Sequence, residues 1–194
     1  MKRLFVYSFI AALVFIVPSC GGDDDSNGDS TENGMEDTLD YSGMREMSLK
    51  ENGLNMKIML PEVESSTGAA LEPLVLHDDG DYLWHVKIGD KFHLVIEDYG
   101  KEKNKVADEK ARLADLDKIF VVEYIEDTDN LIMYKRELHA DQGGKPTYHV
   151  YGETVVDGYT YVLRSQQDGG YRPVIEDMVK TIKSAKPLGG NEAS

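Results

Sequence analysis

An α+β fold, mainly antiparallel β-sheet packed with two or more helices, is predicted by three observations. Apolar residues alternate with polar ones in several short runs, and two tight-turn sequences, around Gly89-Asp90 and at Asp157-Gly158, join such runs into hairpins. A stripe at helical spacing, Val174, Ile175, Met178, Val179 and Ile182, closes the chain behind Pro173. The 194 residues hold 41% hydrophobic residues and one cysteine, so the fold rests on an apolar core without an internal disulfide.

Taken in order, Leu54, Met56, Ile58 and Leu60 alternate into a strand that stops at Pro61. The stretch YLWHVKIGDKFHLVIEDYG reads as two strands around a three-residue loop, Ile88-Gly89-Asp90. That register puts Tyr82, Trp84, Val86, Phe92, Leu94 and Ile96 on one side, and on the other His85, Lys87, Lys91, His93 and Glu97, with His85 directly opposite His93. Val106, Leu113, Leu116, Phe120 and Tyr124 follow helical spacing and predict a helix over 106–124. After the break at Asp127-Thr128-Asp129-Asn130, LIMYKREL alternates as a strand. In PTYHVYGETVVDGYTYVLRSQ the Asp157-Gly158 pair marks a two-residue turn that sets Val150, Thr154, Val156, Tyr159, Tyr161 and Leu163 on one face. The expected order is strand, hairpin, helix, strand, hairpin, helix.

The ends of the chain carry different signals. MKRLFVYSFIAALVFIVPSC places Lys2 and Arg3 before an apolar run from Leu4 to Val17 and ends on small residues at Cys20, the pattern of an export signal. The run is shorter than the roughly 20 residues that cross a bilayer as a helix. Then GGDDDSNGDSTENGMEDTLDYSG, rich in Asp and Glu and free of Lys and Arg, has the composition of a disordered, self-repelling tether. Within it Asp23, Asp25, Asn27 and Gly28 imitate the first half of a calcium loop, but Gly34 stands where the bidentate glutamate belongs, so no calcium site is expected. The expected organisation is a signal peptide over 1–19, Cys20 and the acidic tether over 20–45, one domain over 46–188 and a tail over 189–194.

Val17-Pro18-Ser19-Cys20 resembles the lipobox of bacterial lipoproteins, which implies that Cys20 becomes the acylated first residue of the mature chain. Gly21-Gly22-Asp23-Asp24-Asp25 resembles the acidic signal that directs Bacteroidota lipoproteins to the outer face of the outer membrane. The expected location is therefore the outer membrane, exposed at the surface, with a periplasm-facing position as second choice. ENGLNMKIMLPE, the central hairpins, DGYTYVLRSQ and YRPVIEDMVKTIKSAK together resemble the PsbP-like α-β-α sandwich over residues 46 to 188. That resemblance implies an accessory or binding module and transfers no functional residue.

Charge and motifs narrow the function. With 21 Lys+Arg against 36 Asp+Glu the net charge is -15, which repels nucleic acid and other polyanions. Gly-x-Ser-x-Gly, the phosphate-binding loops and a spare cysteine nucleophile are all missing, and Glu97 and Asp98 point to opposite faces of a strand, so no enzyme and no cofactor is expected. Two candidate binding features remain. His85 and His93, with Glu97 on the same face, are a candidate metal set, and His77-Asp78-Asp79-Gly80-Asp81 is a weaker one whose plainer reading is a polar turn. Tyr148, Tyr159 and Tyr161 with Trp84 are a candidate aromatic platform for a ligand, their plainer reading being sheet core. The sequence thus leads to a non-catalytic, lipid-anchored envelope protein with an envelope protein partner, or to a surface binder of glycans or metal.

Overall fold

A computed structural model describes residues 39–189 except 79, 141 and 142. Cys20, the segment read as an export signal, nearly all of the stretch read as an acidic tether, and the Asp23–Gly28 imitation of a calcium loop lie outside the described residues.

The described chain has two sheets and two α-helices. Strands β1 (Met44–Ser48) and β2 (Met56–Pro61) pair antiparallel, separated by a short 3-10 turn at Lys50–Asn52. Strands β3 (Leu74–Leu76), β4 (Leu83–Ile88) and β5 (Phe92–Asp98) lead to helix α1 (Lys105–Ala114). Then come β6 (Phe120–Asp127), β7 (Leu131–Leu138), β8 (Thr147–Val156), β9 (Tyr159–Ser165), helix α2 (Arg172–Ser184) and the two-residue β10 (Lys186–Pro187). A seven-stranded sheet runs β3-β4-β5-β9-β8-β7-β6, every pair antiparallel, and a three-stranded sheet runs β1-β2-β10. The expected α+β class, mainly antiparallel and helix-packed, is the observed one.

Alternation divides the large sheet into two chemically different faces. On the first, Val86, Leu94, Leu163, Val150 and Met133 are buried together with Ile175, Met178 and Ile182 of α2 and with Met56, Ile58 and Leu60 of β2. Gly152 lets α2 come close, because a Cβ there would stand 2.7 Å from Ile182 Cγ2. The second face is covered only in part: Val106 and Leu113 of the ten-residue α1 pack on Ile132 and Tyr134, with Val122 and Tyr151 alongside. One helix thus lies on each face, and the shorter leaves the polar half of its face open.

The Asp157-Gly158 turn is as expected, with φ of 53° and 80° and Val156 opposite Tyr159, and the predicted shared face of that hairpin is the α2 face. Four expectations change. Residues 106–124 are not one helix: α1 ends at Ala114, and Phe120 to Asp127 form the edge strand β6. There the β-branched Val121 and Val122 and the aromatic Phe120 and Tyr124 suit a pleated edge, and pairing with β7, interrupted by a bulge at Ile125, supplies their backbone partners. The β4–β5 register is two residues off the predicted one: Ile88 pairs with Phe92 rather than lying in the loop, which buries both side chains. His85 therefore faces Val95, and His93 faces Lys87. Tyr82, expected on the core side, lies before β4 and is 70% exposed. Finally, ordered structure begins before residue 46, because Met44 and Arg45 already pair with Pro61 and Leu60.

Candidate functional site

The second face of the sheet carries a predominantly polar cleft of about 610 Å³ beside α1. Strand order builds it. Glu97 on β5, Arg164 on β9, His149 and Tyr151 on β8, and Tyr134 and Arg136 on β7 all point to this face, and the registers Arg164↔Tyr151 and Tyr134↔His149 set them side by side. Helix α1 adds Glu109 and Arg112, and the segment after β9 adds Gln166, Gln167 and Asp168.

Glu153, two residues beyond Tyr151 on β8, fixes α1 at this face. Its Oε2 accepts the backbone N–H groups of Lys105 at 2.5 Å and Val106 at 3.3 Å, a cap supplied from another element where the residue before the helix, Asn104, gives no side-chain cap. A carboxylate there also meets the positive end of the helix dipole.

Inside the cleft two ion pairs are already made. Arg164 Nε donates to Glu97 Oε1 at 2.8 Å, its Nη2 donates to the same oxygen, and the Tyr99 hydroxyl donates to Glu97 Oε2 at 2.9 Å. Arg112 donates through Nε and Nη2, both at 2.6 Å, to the two oxygens of Glu109, itself only 9% exposed, and the Tyr134 hydroxyl reaches Glu109 Oε1 at 3.3 Å. The Glu109 hydrogen bonds hold the Arg112 guanidinium well above its usual range. Burial, with Glu109 nearby, pushes the Tyr134 and Tyr151 phenols up, so both remain neutral donors.

His149 is 3% exposed, and its ring stacks on Tyr134 with centroids 5.0 Å apart and planes 10° apart. Its Nε2 lies 2.8 Å from Thr147 Oγ1. Gly169, at φ +71°, closes over the ring: a Cβ there would stand 2.6 Å from His149 Nε2 and 2.5 Å from the Tyr148 carbonyl oxygen. Burial first, then the Arg136 and Arg112 charges, lower its pKa to about 4. At neutral pH His149 is an uncharged imidazole in the cleft wall.

The candidate metal set meets only in part. The imidazoles of His85 and His93 approach to 2.9 Å between Nδ1 and Nε2, a diagonal contact allowed by the shifted register. Burial, with Lys87, His85 and Arg164 nearby, lowers the pKa of His93 to about 4. Glu97 does not join them, because both its oxygens serve Arg164 and Tyr99. Among the described residues no three of His, Cys, Asp or Glu converge as a metal would need. At the second candidate, His77 Nδ1 lies 2.9 Å from the Leu83 carbonyl and its ring stacks on Trp84 at 4.4 Å; Asp79 lies outside the described residues.

Nor does the aromatic set form one platform. Trp84 is buried in the main core, its Nε1–H donating to the Asn52 carbonyl at 2.7 Å. Tyr148 and Tyr161 are half-buried against the same core, and Tyr159 is 46% exposed at the far end of the β8–β9 hairpin. Tyr148 and the partner of Tyr159, Val156, stand eight residues apart on β8, roughly 27 Å at 3.4 Å per residue.

The cleft residues were missed because they share no segment: they come from five elements and two loop segments between Glu97 and Asp168. The available signal was the side of each strand opposite the core: His149, Tyr151 and Glu153 alternate against Val150 and Gly152, and Tyr134 and Arg136 against Met133. No protein-family model matches the chain, and no curated protein matches it.

Proposed function

We propose that this protein is a lipid-anchored component of a bacterial cell envelope, held in the outer membrane through acylated Cys20 and acting without catalysis as an accessory or interaction module. The observation that carries the reading is the sole cysteine standing where a basic start, a short apolar run and small residues end, with an acidic tether directly after it. A PsbP-like assignment of the domain agrees with the antiparallel sheet carrying one helix on each face. The edge strand β6 supports a protein partner: Val121, Tyr124 and Ile125 are 43%, 39% and 39% exposed on a strand whose outer backbone edge pairs with no other strand among the described residues. The test is affinity purification from detergent-solubilised envelopes of the native chain and of its Cys20→Ala and Val121→Lys forms. Co-purification of one envelope protein, lost in both variants, supports the reading. An identical set of proteins with all three forms opposes it.

The second reading, a surface ligand-binding protein, is favoured by the cleft beside α1. Its walls combine charged pairs, phenols and a neutral imidazole in a volume suited to a small molecule.

A further inference from the structure

Three guanidinium groups line the cleft, and two are committed, Arg112 to Glu109 and Arg164 to Glu97. Arg136 differs. It enters no ion pair among the described residues, yet its position is fixed: its Cζ sits 4.7 Å from the Phe120 ring centroid, and Nη2 donates to the Gln167 carbonyl at 2.9 Å. Its Nε and Nη1 donate to no acceptor among the described residues. A guanidinium held by an aromatic face and one carbonyl, with the rest of its donor fork unspent, is preorganised for a planar, bidentate acceptor.

The surroundings set the size of the charge and the nature of the rest of the ligand. Glu97 and Glu109 are paired, and Asp168, exposed and in no ion pair among the described residues, lines the same cleft, so the charges of the lining cancel; the single free guanidinium fork can meet one carboxylate, while a dianion would also meet carboxylates without a second free cation. The net charge of -15 works against polyanions over longer distances as well. The cleft wall also carries the Tyr151 phenol and the Gln166 side chain, polar groups that suit hydroxyls better than an alkyl chain, beside the Tyr134 hydroxyl and the His149 imidazole, which are held by Glu109 and Thr147.

We propose that this cleft binds a small hydroxylated monocarboxylate, a sugar acid, whose carboxylate sits on the free fork of Arg136. The proposal rests on the ligand-binding reading of the cleft and names its ligand class. The test is titration calorimetry of the purified full-length chain near neutral pH and 0.15 M salt, with D-glucuronate, D-glucose, acetate and inorganic phosphate as four separate probes. Glucuronate is expected to bind saturably, at least about tenfold more tightly than the other three. Arg136→Gln is expected to weaken it about tenfold or more, and Arg136→Lys, which keeps the charge but not the fork, by less. Arg172→Gln, which alters only the pair with Glu176 on α2, is expected to leave it unchanged. Circular dichroism melting identifies folded variants, and should Arg136→Gln not fold, the Lys variant and the ranking of the four probes still decide. Binding of glucose or phosphate with glucuronate silent overturns the ligand class while leaving the ligand-binding reading standing. Silence for all four probes overturns both. Glucuronate bound equally by the native chain and a folded Arg136→Gln variant refutes the placement on Arg136.

Discussion

Acidification should strip stability from this fold through one buried imidazole. His149 is 3% exposed, and burial together with the Arg136 and Arg112 charges lowers its pKa from the ordinary 6.5 to about 4. The unfolded chain therefore takes up a proton on this group at higher pH than the folded one, so stability is complete above about pH 6.5 and falls as the pH drops towards 4. With those two pKa values the loss relative to pH 7 is about 2 kcal/mol at pH 5 and about 3 kcal/mol at pH 4, from 1.36 kcal/mol per unit. His93 shifts in the same direction, but it is more open to solvent and adds less. The assay is urea unfolding at pH 7, 6, 5 and 4 for the native chain and for His149→Gln, followed by the fluorescence of the lone Trp84. Taking the difference between the two proteins cancels the other titrating groups, and the advantage of the native chain should shrink by about 3 kcal/mol from pH 7 to pH 4. Parallel stability profiles, or an imidazole titration by NMR near pH 6.5, would refute the buried, cation-flanked placement of His149.

Three further outcomes follow from the packing. Glu153→Ala removes the acceptor for two N–H groups at the start of α1 and should cost about 1–2 kcal/mol in urea unfolding, with amide exchange accelerated first at Lys105 and Val106. Gly152→Ala drives a methyl against Ile182 Cγ2 and should cost about 1–3 kcal/mol, while Ile182→Leu in the same chain, which lacks that β-branch methyl, should recover part of it. Trp84→Phe keeps an aromatic ring in the core but leaves the Asn52 carbonyl without its donor, for a loss of about 1–3 kcal/mol in thermal or urea unfolding.

Local signals were legible where local chemistry decides. The αL-tolerant Asp157-Gly158 pair set the β8–β9 register, and the stripe behind Pro173 located α2 and its buried side. The two faces of the β4–β5 hairpin were also legible, because a slip of two residues preserves alternation; only burial of Ile88 against Phe92 distinguishes the registers. Strand β6 was not legible: Leu113, Leu116, Phe120 and Tyr124 happen to fit helical spacing, and the choice is made by pairing with β7. The cleft depends on strand order, which brings β9 between β5 and β8 and so sets Arg164 beside Tyr151 and against Glu97. Glu153 as the cap of a helix 47 and 48 residues away in sequence leaves no local trace. His85 and His93 meet diagonally rather than directly opposite as expected, and the third ligand sought for them, Glu97, is held by Arg164 and Tyr99.

The central claim is that Cys20 anchors this domain to a membrane through lipid. Mass spectrometry of the N-terminal peptide from the protein matured in a diderm bacterial host tests it most directly, with membrane fractionation of the native chain and of Cys20→Ala alongside. The account predicts a mature chain that begins at Cys20 and carries acyl groups, sediments with the membranes, and loses both properties in the variant. A mature chain beginning at another residue, or an unmodified Cys20 in a protein that fractionates identically to Cys20→Ala, would contradict it.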